Sequence, residues 1–120
     1  MAVRAVRGAT QVSANSRDEL LAATAELVTE VLARNGLTAA DLISVIFTAT
    51  PDLTAEFPAY AARLAGMTDV PLLCAREIDV PGAMPRVVRI LAHVETTRAR
   101  DELRHVYLGG AAALRTDLPQ

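Results

Sequence analysis

Residues 74–89, which read CAREIDVPGAMPRVVR, decide the fold of this chain. The apolar run that leads into them predicts a short buried strand over residues 71–74. Pro81 and Pro85 lack the backbone N–H that a strand ladder needs, so the chain has to turn there, and we expect a hairpin. Beyond the turn, residues 87–96 alternate in the pattern of a second strand.

The second strand carries an arginine that indicates a binding site. Alternation places Arg89, Leu91 and His93 on one face and the apolar side chains on the other, namely Val88, Ile90, Ala92 and Val94. Glu77 ends the first strand and Arg89 lies near the start of the second, so we expect the two to meet beside one pocket. An arginine on a rigid strand is well suited to holding an anion.

Composition narrows the classes of protein to consider. The chain has 120 residues, enough for one domain (1–120), and its 52% apolar content includes only 3% aromatic residues. A net charge of −2 gives no general attraction to nucleic acid or acidic membranes. A single cysteine excludes an internal disulfide, which favours a reducing, cytoplasmic location. The sequence contains no apolar run of membrane-spanning length and no signal-peptide pattern.

The remaining patterns predict an alternation of strands and helices. We expect a first strand over residues 2–10 and a helix from the Ser16/Glu19 capping box to Asn35-Gly36. A capped turn at 38–41 leads to a strand over 43–50. A short helix over 57–66 follows, with Phe57 before Pro58 as a candidate hydrophobic staple. After the central strands, the last elements expected are a short strand over 105–108, the Gly109-Gly110 break and a tail.

The predicted fold is α+β, with one mixed sheet packed on one long and one short helix. Two helices cover only one face of such a sheet. The other face would retain exposed apolar area, so we expect copies of the chain to close it in a cyclic oligomer. The tail from about residue 110 is expected to be mobile without ligand.

The usual catalytic sets are not evident in the sequence. His93 and His105 have no partners at metal-ligand spacing, so no metal site is predicted. Cys74 is a candidate thiol nucleophile, but a buried, unreactive cysteine is the better interpretation of an isolated thiol. The residues that remain suit a small, multiply charged organic anion, and they are Arg7, Arg63, Arg89, Arg115, Glu77 and Tyr107.

Four segments carry a family resemblance: VRAVRGAT at 3–10, TATPDLTAEFPA at 48–59, RHVYL at 104–108 and LRTDL at 114–118. Over essentially its whole length the chain resembles the monofunctional chorismate mutases of the Bacillus type. The resemblance implies a homotrimeric pseudo-barrel with clefts between subunits. It also implies the Claisen rearrangement of chorismate to prephenate, on the route to phenylalanine and tyrosine. That reaction is pericyclic, so no cofactor is expected.

The resemblance also implies site residues. Arg89 would lie beside the ether oxygen of the breaking bond, Glu77 would accept a hydrogen bond from the substrate hydroxyl, and Arg7 with Tyr107 would hold a carboxylate. The backbone of Leu73, Cys74, Ala75, Arg76 and Glu77 would run along the ligand. Phe57, Arg63 and Arg115 would lie at the cleft wall or mouth.

The chain departs from the best-known members at the cleft rim. Tyr60 replaces a lysine, Leu73 replaces a threonine, and the 64–68 segment is one residue shorter.

The residues alone leave two other functions open. One is a catalytically silent trimer that binds small anions, and the other is a thiol enzyme that uses Cys74.

Overall fold

The computed structural model describes all residues from Met1 to Gln120 and contains five strands and two α-helices. The strands are β1 (Ala2–Gln11), β2 (Leu42–Ala49), β3 (Leu72–Arg76), β4 (Val87–Thr96) and β5 (Val106–Leu108). The helices are α1 (Arg17–Arg34) and α2 (Pro58–Leu64), and short 3₁₀ turns lie at Ala39–Asp41, Arg100–Glu102 and Gly109–Ala113. Neither α-helix combines the length and the hydropathy of a membrane span.

The strands form one mixed sheet in the order β3-β2-β4-β1-β5. β4 is antiparallel to both β1 and β2, whereas the edge strands β3 and β5 run parallel to their neighbours β2 and β1. The α+β prediction is therefore confirmed. The predicted hairpin is wrong, because β2 lies between β3 and β4, and the turn at Pro81-Gly82 carries the chain across the end of β2.

The core lies between the sheet and the two helices. Side chains from β4, β2 and β1 meet the apolar stripe of α1, and Phe47, Leu20, Leu27, Val6 and Val88 are fully buried there. The alternation predicted for β4 is confirmed, since Val88, Ile90, Ala92 and Val94 all face this core. Burial of this apolar surface is the main source of stability.

Most of the opposite face of the sheet has no covering layer within the chain, and only the C-terminal segment packs on it, over Ala9 and Val87. Leu73, Val3 and Leu91 lie on it with 61%, 60% and 36% of their surfaces exposed. The prediction that the strand around Cys74 is buried is wrong, because none of its residues is fully buried. It is an edge strand, it continues to Arg76, and only Leu72 and Cys74 pack against the core.

The ends of the helices follow their sequence signals with one correction. Ser16 caps α1 by accepting a hydrogen bond from the Glu19 N–H at 3.2 Å. The reciprocal half of the predicted capping box is not made, because the Glu19 carboxylate accepts from the Ser13 hydroxyl instead. At the other end, Asn35 and Gly36 end the helix as predicted, and Asn35 also bonds both backbone groups of Arg104.

Candidate active site

The uncovered sheet face brings Glu77 and Arg89 together. Arg89 Nε donates to Glu77 Oε1 at 3.1 Å, and Thr48 Oγ1 donates to Glu77 Oε2 at 2.8 Å. Thr48 lies on β2, the strand between the two partners, and is registered directly opposite Arg89. The predicted meeting of Glu77 and Arg89 beside one pocket is thus confirmed. Thr48, which the sequence reasoning missed, completes the arrangement.

A cavity of about 280 Å³ lies on this face, lined by Arg89 together with Arg7, Tyr107 and Arg115. Its apolar lining includes Ile46 and Leu91. The only protein partner of the Arg89 guanidinium is Glu77, which it contacts through Nε, so both terminal nitrogens are free donors. Three guanidinium groups around one small cavity favour a multiply charged anion.

Tyr107 is held at this cavity by the edge strand β5. It pairs with Ala9 of β1 and is only 5% exposed. Burial raises the pKa of its phenol, although the positive charges of Arg7, Arg115 and Arg89 oppose that shift. The hydroxyl therefore stays protonated at neutral pH and can donate a hydrogen bond to an anion beside Arg7.

Arg115 reaches the cavity from the C-terminal segment. It forms a two-point ion pair with Asp117, at 3.0 Å through Nε and 2.9 Å through Nη2. The hydrogen bond from Arg115 lowers the pKa of Asp117 to about 2, so the pair is ionised at any physiological pH. The segment is anchored by Ala111, which is fully buried against Tyr107, Ala9 and Val87.

The other predicted residues lie in a second group at the β3 edge of the sheet. Phe57, Cys74, Ala75 and Arg76 line one cleft together. Phe57 is 65% exposed and occupies the N-cap position of α2, so the staple interpretation is wrong. Cys74 packs against the core, and its Sγ accepts a hydrogen bond from the Ala59 N–H at 3.4 Å.

Arg63 stands beside this second group. Its guanidinium lies 5.6 Å from the centre of the Tyr60 ring, and Arg17 lies 5.5 Å from the same ring. Arg17 is also paired with Glu56, whose other oxygen accepts from the Phe57 N–H at 3.0 Å. Tyr60 therefore holds two cations by cation–π contacts.

A strained residue sets the start of β4, three positions before Arg89. Arg86 has φ of 54°, the only non-glycine residue of the chain with positive φ. Its N–H donates to both oxygens of Asp52, at 3.0 and 3.2 Å, and its Nε donates to the Val12 carbonyl at 2.9 Å. These contacts offset the cost of the left-handed conformation.

Comparison with known proteins identifies the family. The family model described as chorismate mutase type I matches residues 3–118. The chain belongs to this family. It is therefore a chorismate mutase, an isomerase, and the alternative of a catalytically silent anion-binding protein is not favoured.

Individual members of the chorismate mutase family agree over nearly the whole chain. Chorismate mutase AroH from Thermus thermophilus is 50% identical over 117 residues, covering 97% of this chain and 96% of the relative. AroH from Bacillus subtilis (strain 168) is 39% identical over 119 residues, covering 98% and 94%. The structure of a chorismate mutase from Clostridium thermocellum superposes with a TM-score of 0.90 at 48% identity, covering 92% of this chain and 98% of that one.

Proposed function

We propose that the cavity on the uncovered sheet face is where this chorismate mutase converts chorismate to prephenate, in the biosynthesis of phenylalanine and tyrosine. The observation that carries the proposal is Arg89, fixed by its hydrogen bond to Glu77, at a cavity that it lines together with Arg7 and Arg115. Chorismate is a dianion, and Arg7, Tyr107 and Arg115 supply donors for its carboxylates. No group in the cavity has to accept or deliver a proton for this reaction.

The mechanism follows from the charges that develop in the transition state. As the ether C–O bond breaks and the new C–C bond forms, negative charge gathers on the ether oxygen and positive charge on the ring. The free terminal nitrogens of Arg89 stabilise the oxygen. Glu77 faces the ring and accepts from the substrate hydroxyl through its remaining lone pairs. Both groups are held before the substrate arrives, so little reorganisation is needed.

Orientation of the substrate supplies the rest of the rate enhancement. The rearrangement requires the diaxial conformer, in which the two carbon ends to be joined lie close together. Carboxylate contacts from Arg7 and Tyr107 on one side and Glu77 on the other hold the substrate at both ends. Rigid strands carry Arg7 and Tyr107, on β1 and β5, as well as Arg89 on β4.

We further propose that the active site is completed by a second copy of the chain in a homotrimeric pseudo-barrel. Phe57, Arg63, Leu73 and Cys74 lie on α2 and β3, at one edge of the sheet, whereas Arg7 and Tyr107 lie on β1 and β5 at the other. Four strand spacings of about 4.8 Å separate β3 from β5. The two groups can therefore flank one substrate most simply across an interface that buries the apolar, uncovered face.

The experiment that tests the proposed function is direct. The purified protein, treated with a chelator and given no cofactor, is mixed with chorismate, and the loss of chorismate absorbance is followed. Prephenate should form at a rate far above the uncatalysed one. The absence of any acceleration, in a protein whose circular dichroism spectrum shows that it is folded, would overturn the proposal.

We also propose that the protein is cytoplasmic, and fractionation of the source cells checks this location.

A further inference from the structure

Glu56 places a negative charge in the wall of the cleft at the β3 edge. It is the only acidic residue that lines this cleft, beside Phe57, Cys74 and Arg76, and its side chain is only 21% exposed. The hydrogen bond from the Phe57 N–H lowers the pKa of Glu56, and Arg17 adds to the shift, so the carboxylate is ionised at neutral pH. In a cleft proposed to flank a dianion, such a charge opposes binding.

Arg17 neutralises this charge. Its Nε donates to Glu56 Oε2 at 3.1 Å, whereas the Phe57 N–H donates to Oε1, so the two donors hold both carboxylate oxygens. The cation–π contact with Tyr60 holds the same guanidinium from another side. An ion pair whose arginine is already restrained loses less side-chain entropy than an ordinary surface pair.

The place of Arg17 in the chain argues against a role in the stability of helix α1. Arg17 is the first residue of that helix, where a positive charge interacts unfavourably with the helix dipole. Asp18 and Glu19, which follow it, have the favourable sign. The contacts that offset this cost are both outside the helix, with Glu56 and Tyr60.

Arg63 is the other cation that Glu56 could attract. It lies against the same Tyr60 ring, its charge acts on Glu56, and it forms no ion pair. Because Arg17 occupies the carboxylate, Arg63 stays available to the substrate at the cleft mouth, the place proposed for it above. Without Arg17, Glu56 would both repel the substrate and draw Arg63 away from it.

These contacts do not depend on an isolated chain. Arg17 and Tyr60 belong to α1 and α2, the helices on the other side of the sheet from the apolar face that we propose the copies bury. The ion pair and the cation–π contact are made within one chain, so both persist in the homotrimer.

We propose that Arg17 is a positioning residue that acts through Glu56 and makes the cleft accept a dianion. By pairing with Glu56, it removes the single negative charge of the cleft wall and leaves the positive charge of Arg76. The inference rests on the proposed function, because it requires this cleft to flank chorismate.

Three variants test the proposal by charge alone. Arg17→Ala leaves Glu56 unpaired and should raise the KM for chorismate about fivefold, with little change in kcat. Glu56→Gln leaves Arg17 unpaired and should lower KM. The double variant Arg17→Ala/Glu56→Gln carries neither charge, so its KM should return close to the wild-type value.

Ionic strength gives an independent readout of the same effect. The ratio of KM between Arg17→Ala and the wild type should approach one at about 0.5 M salt, because salt screens the charge of Glu56. Arg34→Ala is the matched control, since it breaks the Arg34–Glu30 ion pair at the other end of the same helix. It should leave KM unchanged at every salt concentration.

Three results would overturn the proposal. An unchanged KM in Arg17→Ala would show that Glu56 does not act on the substrate. A raised KM in all three variants would show that the ion pair is needed only to hold α1 against α2. A raised KM in Arg17→Ala and in the double variant, but not in Glu56→Gln, would place Arg17 on the substrate itself.

The same comparison can be made without turnover. Prephenate is also a dianion, and its dissociation constants from calorimetric titration should follow the same order across the variants. Failure of the proposed function is a separate result, because the wild type itself would then not accelerate the loss of chorismate.

Discussion

Arg89 on β4 and Glu77, which directly follows β3, are joined by a 3.1 Å hydrogen bond although β3 and β4 are not neighbours in the sheet. The strand between them supplies Thr48, which bonds the other carboxylate oxygen at 2.8 Å. Three strands therefore fix one cation and one carboxylate relative to each other. An arrangement held so firmly suits a reaction that needs fixed charge more than it needs a moving proton.

The first prediction concerns the Arg89 guanidinium. Replacement by Ala should lower kcat by about 10²-fold or more, roughly 3 kcal/mol, with a much smaller change in KM, because the contact strengthens as the C–O bond breaks. Arg89→Lys should also be poor, since a single ammonium cannot reproduce the planar fork that bonds Glu77 through Nε and keeps both terminal nitrogens for the substrate. Steady-state kinetics on chorismate measures both variants.

Arg34→Ala is the control for this prediction. It removes another ion-paired arginine, which lies at the end of helix α1 and does not line the cavity. It should leave both constants unchanged. A near-normal kcat in Arg89→Ala would move the charge-stabilising role to Arg7 or Arg115.

The second prediction concerns Thr48 as a positioning residue. Thr48→Val keeps the shape of the side chain and removes the hydrogen bond that orients Glu77. We expect kcat to fall several-fold, with KM nearly constant, because a loosely held carboxylate is less effective in the transition state. Thr48→Ser should restore the rate. If valine and serine behave alike, Thr48 contributes packing only.

The third prediction separates the pericyclic mechanism from thiol chemistry. Cys74→Ser should stay active, since the Sγ only accepts a hydrogen bond from the Ala59 N–H and packs against the core. Loss of all activity in this variant, with the fold intact, would support the thiol alternative. Kinetic assays before and after alkylation of the wild type give an independent check, in which the adduct should act only through its bulk.

The fourth prediction is a flat kcat profile through neutral and mildly alkaline pH, because no group in the cavity has to accept or deliver a proton.

The stability of the fold, in contrast, should depend on pH through His105, which is bonded to the Arg7 backbone. Burial lowers the pKa of His105, and the charges of Arg7 and Arg115 add to the shift. The neutral ring is thus favoured in the folded state. The stability it contributes is present above the unfolded pKa of about 6.5 and is lost as pH falls through the lower folded value.

Urea denaturation at a series of pH values measures this effect. The midpoint should decline as the pH drops below about 6.5, and His105→Gln should flatten the decline in that range. A bell-shaped kcat profile centred near neutrality would contradict the absence of proton transfer.

The fifth prediction concerns Arg115 and the tail. We expect the part of the segment beyond its anchor at Ala111 to be mobile without ligand and to become ordered over the substrate, so that Arg115 contributes equally to ground-state and transition-state binding. Arg115→Ala, or truncation after Ala113, should raise KM about tenfold with kcat within a few-fold of normal. Both changes keep Ala111, the buried anchor of the segment.

Asp117→Asn gives a matched test in the opposite direction. The Asp117 carboxylate competes with the substrate for Arg115, so its removal should lower KM, by up to about fivefold for an exposed ion pair. A large fall in kcat at unchanged KM in Arg115→Ala would contradict the binding role.

The proposed homotrimer has a test of its own. Light scattering should give three times the chain mass of 12.8 kDa. Val3→Asp, on the uncovered sheet face, should dissociate the trimer and abolish activity, whereas Leu64→Asp should not, although Leu64 on α2 is equally exposed at 62%. A stable monomer with full activity would contradict a shared active site.

Local patterns in the sequence predicted the elements well and their neighbours less well. Period-two alternation placed Arg89 and Val88 on opposite faces of β4, since alternation depends only on strand geometry. It carries no information on pairing, so β3 and β4 were expected to form a hairpin and β2 was not expected between them. Thr48 was missed for the same reason, because its bond to Glu77 exists only once β2 occupies that place.

The candidate site was predictable where a residue type is unusual in its setting. Arg89 on a strand and Glu77 beside a turn met that condition. Phe57 did not, because an aromatic residue before Pro58 at a helix start equally fits a staple, and only its 65% exposure decides against that interpretation. Asp117 was missed because its pairing with Arg115 depends on the fold of the C-terminal segment.

The left-handed conformation of Arg86 has a consequence for protein engineering. A redesign that optimised stability residue by residue would choose glycine at position 86, where it is free of the usual penalty, or asparagine, which tolerates positive φ better than arginine does. Glycine would give up the Nε contact to the Val12 carbonyl, and Asp52 would hold a more flexible backbone. Such a variant would then have a higher thermal stability, but the backbone at the start of β4 would be held less precisely and kcat would be lower.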